Sequence, residues 1–186
     1  MAEEAINYSD RELMLLYRKP ESHESAFKLI IVKYQEKLYW HIRKLVISHD
    51  DSNDLLQNTF IKAWNSLDSF REDASLYTWL YRIATNEALS FLNSKRRKLF
   101  LSIVDVEKQL SGMLDTDPLI SGDELQLKLQ KAILTLPEKQ RIVFNMKYFD
   151  EMKYEDMAII LDTSVGALKA SFHHAVKKIE NYISEH

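Results

Sequence analysis

No glycine precedes Gly112, and the 186-residue chain holds only three glycines and three prolines. These two residues punctuate strands, hairpins and tight turns, so a chain this poor in both is expected to be mostly helical. With 46% hydrophobic residues it can bury one domain or two small cores. Helical periodicity and end signals place helices at about 9–19, 22–47, 51–67 and 74–97, then near 123–135, 137–148, 153–161 and 165–183. Asp51 or Ser52 is expected to cap the third, and Pro137 suits a first helical turn, where its missing N–H costs nothing. The expected fold is all-α.

The net charge of −3 is unevenly spread. Residues 1–98 carry 15 Lys/Arg against 14 Asp/Glu, residues 99–124 carry 1 against 6, and residues 125–186 carry 9 against 8. The middle segment, LFLSIVDVEKQLSGMLDTDPLISGDE, also holds two of the three glycines and one proline. It reads as an acidic flexible linker, which divides the chain into domains at 1–98 and 125–186. No apolar run approaches 18 residues, and the acidic start MAEEAINYSD lacks a signal-peptide apolar region. A cytoplasmic protein with no membrane insertion is therefore expected. The absence of cysteine excludes disulfides and thiolate metal sites.

The stretch MAIILDTSVGALKASFHHA, residues 157–175, reads as two short helices around a polar turn. Asp162 sits where the turn needs a left-handed residue, and Ser164 can cap the second helix. On a wheel of 100° per residue, Leu168, Phe172, Ala175, Ile179 and Ile183 form a buried face with Val176 beside them. Opposite stand Gly166, Ala167, Ala170, His174 and Lys177, flanked by Lys169 and His173. A surface that is small at its start and cationic further on suits a helix in a DNA major groove. An ordinary helical hairpin in a core fits the same pattern.

In REDASLYTWLYRIATNEALSFLNSKRRK, residues 71–98, Leu76, Leu80, Ile83, Ala84, Ala88 and Phe91 make the apolar face. Arg82, Asn86, Asn93 and Arg97 gather on the other side, with Trp79 at its edge. Cations and amides beside aromatics suit a single nucleic-acid strand, whose unstacked bases need flat surfaces. Equally, Trp79 could be core and KRRK a solvated last turn that complements the helix dipole. His41, His49, Asp50, Asp51 and Asp54 could be imagined as a metal site. Acids at a helix start are usually caps, though, and no HExxH pairing, phosphate loop or nucleophile motif occurs. Neither catalytic residues nor a metal or cofactor is expected.

Both stretches, in this order, resemble the sigma factors of bacterial RNA polymerase, specifically the small two-domain extracytoplasmic-function (ECF) group. NDLLQNTFIKAWNSLDSFREDASLYTWLYRIATNEALSFLNSKRR is similar to that family's domain 2, and LTLPEKQRIVFNMKYFDEMKYEDMAIILDTSVGALKASFHHAVKKI to its domain 4. The resemblance implies a promoter-specificity subunit that binds core RNA polymerase and promoter DNA. It implies polymerase contact through Asp54, Gln57, Asn58, Ile61 and Lys62. It implies opening and reading of the −10 element by Arg71, Tyr77, Trp79, Arg82, Asn86, Asn93, Lys95, Arg96 and Arg97, with one base flipped into a pocket at the loop from Arg71 to Tyr77. The −35 element would meet Ala167, Lys169, Ala170, Ser171, His173, His174 and Lys177. An anti-sigma factor, in this family often membrane-anchored, is a further implied partner. The alternative is a stand-alone helix-turn-helix regulator, which leaves the second half of domain 2 unexplained.

The chain departs from the family at several points. Glycine is frequent at the positions of Glu151 and Asp162, arginine at those of Ser171, His174 and Val176, and an acid at that of Asn58. Fewer guanidinium groups should weaken phosphate attraction and change base preference. Extended, the 26 linker residues span at most roughly 90 Å, against about 34 Å for one turn of duplex. They can bridge two promoter elements, either as a solvated spacer or, as in the family, threaded through polymerase.

Overall fold

The computed structural model describes residues 7–98, 110–114 and 123–185, with Arg96 and Lys98 described by backbone alone. Among these residues there is no strand. The N-terminal unit contains α1 (Asp10–Tyr17), α2 (His23–Val46), α3 (His49–Ser66) and α4 (Leu76–Lys98). The C-terminal unit contains α5 (Glu124–Leu134), α6 (Glu138–Tyr148), α7 (Tyr154–Leu161) and α8 (Val165–Glu185). Most of the expected acidic linker lies outside the described residues, and its residues 110–114 form a helical turn.

Local chemistry explains the helix starts. Ser9 and Glu12 form a reciprocal capping box on α1: Ser9 Oγ accepts from the Glu12 amide at 3.2 Å, and Glu12 accepts from the Ser9 amide at 2.7 Å. Helix α3 begins earlier than expected. Ser48 is its cap, accepting from the Asp51 amide at 3.2 Å, whereas Ser52 is buried and donates its hydroxyl to the Ser48 carbonyl at 2.6 Å. With a cap already upstream, Asp50 and Asp51 serve as first-turn acids that complement the dipole. Asp123 caps α5 by accepting from the amides of Leu125 and Gln126. Pro137, extended at φ −51° and ψ 143°, stands just ahead of α6 instead of inside its first turn.

Among the described residues, four non-glycine residues have positive φ: Ile47, Glu72, Glu151 and Asp162. Two of them, Glu151 at 50° and Asp162 at 48°, occupy the positions where the resembling family favours glycine. A left-handed L-residue costs roughly 1–2 kcal/mol, less for Asp than for Glu, while glycine adds unfolded-state entropy of under about 1 kcal/mol. Exposed Glu151 is therefore the position with strain to release. Glu151→Gly is expected to raise the melting temperature by about 1–3 °C, and Asp162→Gly by less. Thermal unfolding of both variants would refute this account if Glu151→Gly proved the less stable of the two.

Packing then joins the two units. Helices α2, α3 and α4 pack on one another and α1 lies on α2, while α8 packs on α5, α6 and α7. A smaller core of Ala132, Ile133, Leu136, Phe144, Ala175 and Ile179 belongs to the C-terminal unit alone. The larger core does not stop at the linker: Ile142, Val143, Met146, Met157 and Ile160 continue the cluster that holds Leu38, Ile42, Leu80 and Ala84. Helix α4 packs on α7, and α2 meets α6. The helical turn at 110–114 adds Leu110 and Leu114 to a third cluster with Ile47 and Leu134, one residue from each unit.

Candidate nucleic-acid interface

Helix α8 separates its faces as the wheel required. Leu168, Ala175 and Ile179 are buried, and Phe172, Val176 and Ile183 are half-buried. Gly166, Ala167, Lys169, Ala170, His173, His174 and Lys177 are all exposed, and Ser171 is half-exposed. A Cβ added at Gly166 would meet no atom within 4 Å, so the start of this face is open. The turn before it is left-handed at Asp162, with φ 48° and ψ 53°, and Ser164 Oγ accepts from the Ala167 amide at 3.3 Å. At its N-terminal end the outer face therefore carries only the small residues Gly166, Ala167 and Ala170. Lys169 leans back over the Tyr154 ring, 5.7 Å from its centroid, while Lys177, Lys178 and the two histidines are exposed.

A second surface is built where α4 meets the loop before it. Ser69, Phe70, Arg71, Asp73, Ala74, Trp79 and Arg82 line a recess of about 240 Å³, and Ile159 of α7 completes it. The Phe70 and Trp79 rings lie 5.2 Å apart, tilted by 44°. The backbone turns left-handed at Glu72, φ 58°, where Glu72 pairs with Arg18, just after α1. Two guanidinium groups, a carboxylate and two aromatic rings around one opening can stack a base and engage its edge.

Of the candidates on α4, Trp79 and Arg82 line this recess and the others do not. Arg82 and Asn86 are exposed one turn apart, Asn93 is half-exposed and Arg97 exposed. Lys95 pairs with Asp51 at 3.4 Å and lies over the Phe91 ring. Tyr77 lines no part of the recess. Its ring packs 4.4 Å from Tyr81 and 6.1 Å from Tyr34, and burial raises its phenol. The Arg96 side chain lies outside the described residues. Sequence reasoning missed Ser69, Phe70 and Ile159. Phe70, adjoining the loop, was detectable as an aromatic beside a cationic segment, but Ile159 carried no local signal.

On α3, Asp54, Gln57, Asn58, Ile61 and Lys62 are exposed along one face. Ile61 is 53% exposed, an apolar side chain amid polar ones. Lys62 reaches Glu87 of α4, so this face adjoins the α4 stripe.

The imagined metal cluster comes apart. His49 bonds Tyr39 and Asn53, Asp51 bonds Lys95, and His41 is fully buried elsewhere. Among the described residues, no group of three His, Asp or Glu is placed to hold a metal ion. His41 instead meets Asp150, two residues past the end of α6: its Nδ1 lies 3.2 Å from Asp150 Oδ2 and its Nε2 2.9 Å from Thr85 Oγ1. Thr85 donates its own hydrogen to the Tyr81 carbonyl, so it accepts from Nε2, and a carboxylate can only accept. Lys44 donates to the other Asp150 oxygen at 2.7 Å. Burial pushes the Asp150 carboxyl up, but the hydrogen bonds and charges of His41 and Lys44 outweigh it and hold it below its ordinary value.

Comparison with known proteins agrees with this geometry. The family model of sigma-70 region 2 matches residues 30–98, and that of sigma-70 region 4 matches residues 126–179. The ECF RNA polymerase sigma-E factors of Salmonella typhimurium and Escherichia coli K12 are each 34% identical over 178 residues, 91% of this chain and 93% of theirs. The chain belongs to the ECF sigma factors of RNA polymerase. The RNA polymerase sigma-H factor of Pseudomonas aeruginosa is 30% identical to this sigma factor over 92% of its chain. Two solved structures share the fold. The sigma factor RpoE in complex with the anti-sigma factor NepR from Bartonella quintana aligns at TM-score 0.65 and 24% identity, covering 85% of this chain and 96% of the other. CnrH in complex with the cytosolic domain of CnrY aligns at 0.67 and 21%, covering 95% and 97%. Seven of the eight residues lining the recess lie within the region 2 match, while Ile159 and the outer face of α8 lie within the region 4 match. No helix among the described residues is long and apolar enough to cross a membrane.

Proposed function

We propose that the chain directs core RNA polymerase to specific promoters, docking through the α3 face, reading the −35 element with α8 and opening and reading the −10 element at α4. The observation that carries this is the coexistence of two nucleic-acid surfaces of different kinds. The small outer face of α8 suits a duplex groove, while the recess at Phe70, Trp79 and Arg82 suits an unstacked base. A stand-alone regulator that binds duplex uses only the first. Domain boundaries at residues 98 and 125 fit the composition shift, and a promoter subunit of this kind performs no catalysis of its own and needs no cofactor. An anti-sigma factor fits as a partner, as NepR is for the Bartonella quintana sigma factor that shares the fold.

Transcription in vitro with core polymerase and a genomic DNA pool tests this reading. Defined start sites that require both polymerase and this chain are expected. Tight, sequence-specific duplex binding by the isolated chain, with no association to core polymerase, would favour the regulator. Each unit has nearly balanced charge, so few phosphates can be neutralised and the free chain is expected to bind promoter duplex weakly.

Within the −10 surface, Asn86 offers a donor and an acceptor on the stripe that leads from the recess. Asn86→Ala is expected to leave polymerase binding intact and to lose about 1–3 kcal/mol of discrimination at one −10 base. Initiation rates across a set of −10 substitutions would show it. Unchanged base preference would remove Asn86 from the reading surface without touching the function.

A further inference from the structure

We propose that Arg18 is a positioning residue for −10 recognition: from the end of α1 it holds the loop before α4 in the shape that forms the recess. This rests on the reading of that recess as the −10 base pocket. In the run from Ser69 to Ala74, every residue except Glu72 lines the opening. Glu72 is left-handed, φ 58°, and its carboxylate accepts from the Arg18 guanidinium. Phe70 and Arg71 before this point and Asp73 and Ala74 after it line the same space. A glutamate is strained in this conformation and a glycine is not, so an ion pair that favours the turn from outside the loop has strain to offset.

Arg18 is itself anchored. It is the C-cap of α1, where its N–H bonds the Met14 carbonyl at 3.1 Å. The two carbonyls before it are engaged as well: Leu16 accepts from the Ser22 hydroxyl at 2.7 Å and Tyr17 from His23 Nδ1 at 2.8 Å. Leu13, Met14 and Tyr17 are buried, and α1 packs on α2. Tyr17 reaches the near end of the same loop, where burial and the Asp68 carboxylate raise its phenol to about 12. Tyr17 and Arg18 therefore grip positions 68 and 72, on either side of Phe70 and Arg71. Both partners of the Arg18–Glu72 pair are exposed, so its hold is modest: the usual strength of such a pair corresponds to about two- to fivefold in an equilibrium.

Holoenzyme assembled from core polymerase and the full chain is tested on promoter templates that carry each base in turn at each −10 position. Initiation rates give a base preference at each position, from which phosphate contacts common to all templates cancel. Arg18→Ala is expected to leave thermal unfolding and polymerase association unchanged and to lower the preference at one position about two- to fivefold. Adding Glu72→Gly is expected to restore it, because glycine takes the left-handed turn unaided. Preference unchanged at every position overturns the proposal. So does an equal loss on every template, which makes Arg18 a phosphate contact, and so does a loss that Glu72→Gly fails to restore. Asp73→Ala in parallel tests the recess itself. If it shifts base preference and Arg18→Ala does not, only the hold by Arg18 falls; if neither shifts it, the base-pocket reading falls and the proposal with it.

Discussion

Leu80→Ala is expected to cost about 2–5 kcal/mol of stability, the usual range for a buried leucine truncated where neighbours cannot fully collapse. Leu80 is fully buried on α4, and that helix packs on α2, α3 and α7 at once. The vacated space would be walled from several sides. For a chain of this size each kcal/mol corresponds to roughly 2–4 °C, so the melting temperature should fall by about 4–20 °C. Leu15→Ala, at a position 52% exposed, is the control and should stay within about 0.5 kcal/mol. Because the main core runs through both units, one cooperative transition is expected. A Leu80 variant no less stable than the Leu15 control would contradict the placement of α4 at the centre.

Ala170→Trp is expected to abolish initiation at promoters that depend on a −35 element while leaving folding and polymerase association unchanged. Ala170 is exposed in the small-residue half of the α8 face, between Ala167 and His174. A helix with its side chains is about 10–12 Å across and the major groove about 12 Å wide, so an indole on the approaching face has nowhere to go. Losing the recognition of two or more base pairs at about 1–3 kcal/mol each lowers initiation by roughly thirtyfold or more. Lys177→Ala should behave differently. It is expected to weaken binding evenly across −35 sequences and to reduce the salt slope by about one unit, as loss of a phosphate contact does. Initiation assays on matched templates with and without the −35 element separate these effects. Normal activity of the Ala170 variant on the −35 template would exclude this face as a reading surface.

The helices and the helix-turn-helix were legible in the chain because their causes are local. A period of 3.6 residues, a serine or aspartate at a helix start and a left-handed residue between α7 and α8 all act within about ten residues. The expected faces of α4 and α8 match their burial for the same reason. Where two local signals competed the reading slipped, as at Ser48, which lies in reach of the first free amides of α3 and displaced Asp51 as the cap. Tyr77 illustrates a second limit: its position beside the loop said nothing about Tyr34, 43 positions earlier in the chain, against which it packs.

By itself, then, the sequence determined an all-helical chain, an acidic segment dividing it, a small-faced C-terminal helix and a cationic, amide-bearing stripe on α4. Tertiary structure alone decided which groups meet across the division. Asp150 reads as one more acid in FDEMK, yet it is buried between His41 and Lys44, more than a hundred positions away. Ile159 reads as an ordinary apolar residue of α7, yet it closes the recess of α4. The physical reason is the same in both cases. Periodicity fixes which face of a helix is apolar, but the partner of that face is chosen by the summed packing and polar satisfaction of the folded chain, to which no local stretch has access.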